Sequence, residues 1–404
     1  MQSDPAAPDR RFDLDWLRII VFGLLILYHV GMFYVPWDWH VKSSHIFDDL
    51  RPVMLLTNPW RLSLLFIISG VATRFMADKI APGRLLRTRS ARLLLPLMFG
   101  MLVVVPPQTW CEIVEKLGYA GSWLDFYGKY LGFYEGWRPD GRKLLVPTWN
   151  HLWFVAYLWL YTMLVLMAQP LLRSVRQVWL ERLLQWRLAG AIMLVIPCLL
   201  LAALRLLLRP LFGETHALFD DWYLHAIYFP LFLFGFMAAP CTAAWTLIAR
   251  LRAVALICAL LAWLALVAVM LLYPHGTDVP AILSLGVKVG WATQQWCGCI
   301  ALLGYAQRWL NRDSTWRRYM TDAVFPFYIV HQTVIVVIGH QLSPLQLPAW
   351  LEAITIIGIT AAACLGTFEI ARRVAWLRPL FGLKPQATAS HVPRFRKMDR
   401  LDAT

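Results

Sequence analysis

The stretch Leu14–Gly31, LDWLRIIVFGLLILYHVG, decides the fold. After Asp15 it is apolar enough to cross a bilayer, yet it carries Arg18 near one end and His29 well inside. Ionisable groups in hydrocarbon are costly and mark sites or pathways. At about 100° per residue, the eleven residues between Arg18 and His29 bring both onto one helix face, roughly 16 Å apart along the axis. Asp15 shares that face one turn earlier and is placed to pair with Arg18. The stripe sets a cation at one mouth and an imidazole deeper in, which suits a long ligand with an anionic head. A snorkelling arginine and a packing histidine would explain each residue singly. Their shared face favours a functional pairing.

The surrounding chain has the same character. Its 404 residues are 59% hydrophobic and 15% charged, with a mean hydropathy of +0.55. A soluble protein would carry about 25% charged residues. The expected fold is all-α and polytopic, with about ten transmembrane helices at 15–36, 52–76, 91–110, 149–170, 188–209, 221–240, 251–273, 281–306, 323–342 and 350–372. Asn58-Pro59 is expected to interrupt the second as a short half-helix. Residues 1–384 form one membrane-embedded domain, followed by a basic tail at 385–404 that suits anionic lipid. No small-residue cleavage site follows the first apolar run, so that run reads as a retained helix. The 21 tryptophans fit interfacial belts and ring-lined pockets. The seven cysteines lack metal-ligand spacing and read as buried thiols.

Lys and Arg set the orientation. With the N-terminus in the cytoplasm, 25 of the 38 basic residues fall on cytoplasmic segments and 9 on external ones. Both termini are therefore expected in the cytoplasm, and the net charge of +14 is topological. This placement removes the nucleic-acid reading that such a charge would otherwise invite.

Further polar groups lie in or near the spans. In RLLRTRSARLLLP, Arg89 and Arg92 share a helix face and could grip phosphate, although basic residues at a cytoplasmic helix end are also what topology requires. His151 opens the fourth span, and His331 in FPFYIVHQ is expected about eight residues into the ninth, nearer the cytoplasm than the midplane. Lys288 lies within the eighth, with Gln294 and Gln295 beyond it. Each alone fits a satisfied structural group; together they imply a polar interior lined from several helices. The segment Cys111–Thr148, rich in Trp, Tyr and Gly, could cap an external cleft. No Ser/His/Asp order, G-x-S-x-G elbow, phosphate loop or metal box is evident. A transporter would also carry intramembrane charges, but the inverted repeats common there are not visible.

At these residues the chain resembles the acyltransferase-3 family of multi-spanning membrane acyltransferases. Arg18-x10-His29 resembles its first-helix motif, and FIISG (Phe66–Gly70) resembles its second-helix F-F-x-x-S-G stretch. RSARLLLP resembles its R-x-x-R followed by proline, and NHLWF and FPFYIVHQ resemble its later blocks. DWHVKSS and PWRLSLLFIISG are most similar to members that succinylate osmoregulated periplasmic glucans. The resemblance implies a multi-pass protein of the bacterial inner membrane that takes acyl-CoA, succinyl-CoA or acetyl-CoA, from the cytoplasm. It implies a periplasmic glucan or other surface polysaccharide as acceptor, and no permanently bound cofactor or metal. His29 is then the catalytic candidate, acting as general base, with Arg18, Arg89 and Arg92 handling the donor. A succinyl carboxylate would need a cation; Arg61 is the first candidate and Lys288 the second, with pairing to a loop acid as the other role for Arg61. His151 is a substrate-binding candidate, and His331 or a Trp N–H a candidate oxyanion donor. Relatives that acetylate O-antigen often carry an SGNH domain; none follows the tenth span, so transfer is expected within the membrane domain. Acetylation of another polysaccharide, or transport of acyl groups or glycans, are the alternatives.

Overall fold

The computed structural model describes residues 11–184, 186–274 and 277–385. All but the first residue of the expected tail at 385–404 lies outside the described residues. Twelve helices of nine residues or more are seen among them: α1 (Phe12–Tyr34), α2 (Arg51–Ala77), α3 (Pro82–Phe99), α4 (Pro106–Leu117), α5 (Trp123–Leu131), α6 (Trp153–Leu184), α7 (Ala189–Phe212), α8 (Trp222–Ala238), α9 (Thr242–Leu272), α10 (Ala281–Trp309), α11 (Thr315–Leu342) and α12 (Ala349–Arg373). Eight helical stretches are long and apolar enough to cross a membrane, with α3 and α4 forming one of them. The 17-residue α8 and the 29-residue α10, which carries Lys288, Gln294 and Gln295, stand where the other two spans are expected but are not among these eight. The protein is an all-α polytopic membrane protein.

Three boundaries differ from expectation, each for a readable reason. Helix α2 runs unbroken through Pro59. A proline frees the carbonyl four residues earlier, and here Gln294 Nε2 donates to Leu55 O at 2.9 Å and Leu56 O at 3.2 Å. A buried amide from α10 thus replaces the missing bond, as membrane helices with proline require. Between α3 and α4 the chain winds as a π-helix over Gly100–Val104. Pro106 and Pro107 follow, so Met101 and Leu102 carbonyls lack donors in that winding. Tyr130 Oη donates to Met101 O and Tyr127 Oη to Leu102 O, both at 2.8 Å. These tyrosines belong to α5, whose Phe126 and Tyr130 pack with Ile113, Trp137 and Val146 as a small separate core. The segment expected to be a cap is therefore anchored to the bundle by hydroxyls that satisfy its backbone.

The third difference moves a site residue. Helix α11 starts at Thr315, eight residues earlier than the hydropathy suggests, because Ser314 caps Arg317 N. The polar first turns are held by Arg317, fully buried, which pairs with Asp313 at 2.7 Å and with Asp15 of α1. Hydrogen bonds from Arg317 and Arg318 hold the Asp313 carboxyl down, at about 2. His331 consequently lies past the middle of its helix, not before it.

Helices α1 and α11 run parallel. Asp15 meets Arg317, Arg18 reaches Thr321 O, and His29 meets His331, all at sequence separations of 302 or 303. Helices α2 and α8 touch backbone to backbone: a Cβ on Gly70 would lie 2.0 Å from Phe232 O, and one on Gly235 would lie 2.0 Å from Ile67 O. The FIISG glycine is thus a packing residue at a small-residue crossing.

Candidate functional site

The α1 stripe is completed by α11. His29 Nδ1 lies 2.9 Å from His331 Nε2, with the rings near-parallel at 5.1 Å. The proton positions follow from the partners. His331 Nδ1 faces only carbonyl oxygens, Tyr328 O at 2.8 Å and Phe327 O at 3.2 Å, so it carries a hydrogen. In a neutral ring its Nε2 then accepts, and His29 Nδ1 must donate. His29 Nε2 is left with its lone pair and makes no hydrogen bond among the described residues. His29 is half-buried, so this nitrogen is not sealed in the core. Both nitrogens of His331 are taken, which removes it as an oxyanion donor and makes it the partner that orients His29.

His151 joins this cluster, its ring 5.1 Å from that of His331. Its Nε2 points at the carbonyls of Tyr328 and Ile329, at 3.1 and 3.2 Å, while Tyr328 Oη donates back to His151 O. His151 thus clasps the α11 backbone beside His331 and turns no nitrogen toward a substrate.

Several members were not legible from spacing. Trp39 stacks on His29 at 6.5 Å and 12°. Next to it, His40 pairs with Glu112 at 2.6 Å and meets Gln332 at 3.0 Å. Gln332 and Asn150 both donate to Gln108 Oε1 at 3.1 Å, and Gln108 donates to Thr333 at 2.6 Å. This chain of amides ties α4, α11 and the turn before α6 together beside the histidines. DWHVKSS carried Trp39 and His40 as a stretch, but nothing local assigns a loop tryptophan to a ring seven or more residues before it. Lys42 from the same stretch caps α1, its Nζ donating to Met32 O at 2.7 Å and Val35 O at 2.5 Å. Burial pushes its ammonium down, to about 8.

The arginines separate into two places. Arg18 reaches Asp15 at 3.7 Å and Thr321 O at 3.5 Å, and lies within electrostatic range of Arg89 and Arg92. Arg89 donates to Thr73 at 2.6 Å, and Arg92 to Gly382 O at 3.1 Å. Nε of Arg18 and of Arg89 is buried without a partner. Three guanidinium groups therefore converge near the first turns of α1, opposite the histidine end, with donors to spare. Arg61 is 4% exposed and sits 3.5 Å over the Tyr28 ring, beside His29 in sequence. Its Nε and Nη1 have no partner and no acid pairs with it among the described residues, so the loop-acid role does not hold. Lys288 is half-buried on α10 and takes no part in either cluster.

A donor-rich basic cluster at one end of α1, and a base with a free lone pair toward the other, can hold an anionic carrier and deprotonate a weak acid at its far end. Comparison with known proteins fits this layout. The sequence model of one family, described as an acyltransferase domain, matches residues 11–369. Glucans biosynthesis protein C of Escherichia coli (strain K12) is 22% identical over 403 residues, covering 95% of this chain and 97% of that protein. The protein of the same name from Escherichia coli O9:H4 (strain HS) is 22% identical over 409 residues, with the same coverage. No solved structure matches the chain.

Proposed function

This chain belongs to the acyltransferase-3 family of membrane acyltransferases, and from that premise we propose that it moves a succinyl group from cytoplasmic acyl-CoA to a hydroxyl of a periplasmic glucan. The observation that carries the reading is the His29–His331 pair, which leaves a lone pair on His29 Nε2 at one end of a stripe whose other end is basic. The glucan acceptor follows the name of the relatives above, and the inner-membrane setting follows the basic bias of the segments assigned to the cytoplasm.

In this reading the CoA phosphates lie against Arg18, Arg89 and Arg92, and the pantetheine arm runs along α1 to bring the thioester to His29. A sugar O–H gives its proton to His29 Nε2 as its oxygen attacks the thioester carbonyl. The imidazolium keeps its Nδ1–H on His331, which holds the ring in place. Collapse of the tetrahedral intermediate breaks the C–S bond, and the departing sulfur takes the proton from His29. The products are a sugar ester and free CoA.

The direct test is purified full-length protein incubated with labelled succinyl-CoA and a glucan. Ester formation matched by CoA release is expected; absence of ester with every short acyl-CoA tried would overturn the assignment. Two variants probe the arginines. Arg89→Ala combined with Arg92→Ala should raise KM for acyl-CoA by about tenfold or more while changing kcat less, because lost phosphate contacts act in ground and transition state alike. Arg61→Gln should lower succinyl transfer by about 10- to 100-fold and acetyl transfer little, since a hydrogen bond to a charged group contributes about 1.5–3 kcal/mol. Equal losses for both acyl groups would remove Arg61 from carboxylate recognition.

A further inference from the structure

A cavity lies apart from the histidines. It has a volume of about 200 Å³ and is enclosed by α2, α7, α8 and α10. Arg205 lines it, 8% exposed, its guanidinium 4.9 Å from the Trp291 ring and 5.7 Å from that of Tyr223. Arg205 Nε is buried with no acceptor. Across α10, Gln295 is 2% exposed and spends its Nε2 on Ser63 at 2.8 Å, leaving Oε1 without a donor. Asn58 and Tyr228 also face the space, and at its rim Arg209 pairs with Glu214 at 3.1 Å. Leaving buried polar groups unpaired costs about 1–3 kcal/mol each, and a ligand in this cavity would offset that cost for both.

The chemistry of that ligand is set by what is missing. A donor and an acceptor left unpaired on residues lining one cavity fit a group that both gives and takes hydrogen bonds, which is a hydroxyl. A carboxylate or phosphate would satisfy Arg205 but not Gln295, and would meet the Glu214 carboxylate at the rim. A lipid tail would satisfy neither. Trp291, Tyr223 and Tyr228 form the aromatic part of its wall, and the space of about 200 Å³ admits one hexose ring. Tyr228 lies within electrostatic range of both Arg205 and Arg61, so the cavity borders the Arg61 side of the histidine site.

We infer that this cavity is a sugar subsite, holding a glucosyl unit remote from the one being acylated, with Trp291 and Tyr223 as walls and Arg205 and Gln295 reading its hydroxyls. The inference rests on the carbohydrate acceptor proposed above. It makes affinity grow with acceptor length and assigns that growth to residues that touch neither His29 nor the donor.

The test is direct binding of gluco-oligosaccharides, from the monosaccharide to the hexasaccharide, to the purified full chain without acyl-CoA. Affinity should rise with length in the native protein. Arg205→Gln and Trp291→Ala should each weaken the hexasaccharide about tenfold, or about 1.4 kcal/mol, and leave glucose binding unchanged, with thermal melting showing that each variant is folded. Gln295→Leu is the third variant; it removes the acceptor together with the bond to Ser63 and should weaken the hexasaccharide likewise. Affinity that does not rise with length, variants that bind all lengths like the native chain, or competition by succinate at this cavity would overturn the inference. Succinyl transfer that persists with a flat length dependence would sink the subsite and leave the proposed activity standing. Length-dependent binding without any acyl transfer would do the reverse.

Discussion

His29→Asn should stop acyl transfer while leaving the protein folded and able to bind its donor. Asparagine retains an N–H close to the position of His29 Nδ1, so it can still donate to His331 Nε2 and keep α1 against α11. What disappears is the lone pair on the other side of the ring. A positioned general base contributes about 10²–10⁴-fold in rate, and the other imidazoles of the cluster have their nitrogens committed: His331 to His29 and Tyr328 O, His151 to Tyr328 O and Gln108, and His40 to Glu112 and Gln332. The measurement is initial rate of ester formation at saturating acyl-CoA, alongside acyl-CoA affinity. A loss of two orders of magnitude or more at unchanged affinity is expected. A variant that acylates within a factor of three or so of the native protein would show that His29 is a packing residue.

Gly70→Val should prevent the bundle from forming. The added Cβ would meet Phe232 O at 2.0 Å and Phe236 N at 2.9 Å. Both are backbone atoms inside α8 and cannot rotate aside. The reciprocal contact at Gly235, against Ile67 O, removes the other route to relief. Separating α2 from α8 would open the aromatic packing of Phe66 against Tyr228, Phe154 and Tyr161. The expected cost is at the upper end for overpacking, about 3 kcal/mol or more. Monodisperse yield in detergent and the melting temperature read it out. Gly23→Val is the matched control, because nothing lies within 4 Å of a Cβ there; it should behave as native. A Gly70→Val protein of native yield and melting temperature would show that the crossing is looser than the backbone geometry requires.

Much of this was legible in the sequence because membrane spans announce themselves. Hydropathy located the eight helical stretches long and apolar enough to cross a membrane, and the helical period put Asp15, Arg18 and His29 on one face. It failed where proline and polar helix ends confuse the signal. Asn58-Pro59 reads as a break, and only the position of Gln294, more than two hundred residues away, shows how the helix continues. Thr315–Asp322 reads as a loop because it is charged, yet its Arg317 is buried between Asp313 and Asp15. The three histidines each carried a visible polar anomaly, yet their roles were not legible: which nitrogen faces which carbonyl depends on side-chain geometry. Trp39, His40, Glu112 and Gln108 left almost no trace, since each is an ordinary residue for a helix end or loop until tertiary packing brings it to the site. Arg205 and Gln295 were hidden for a further reason. Their significance is an unmet bond, and sequence reports residues, not vacancies.

The separation of 302 residues between the paired imidazoles has a consequence for biosynthesis. A ribosome must complete roughly four-fifths of the polypeptide before the second ring emerges, so no shorter nascent fragment can hold the first in its working tautomer. Chains stalled or clipped ahead of Thr315 would keep Arg18, Arg89 and Arg92 but lack the partner that orients His29. Co-expressing residues 1–314 with the remainder as two pieces should restore turnover only when both insert together, which makes the enzyme a natural candidate for split complementation.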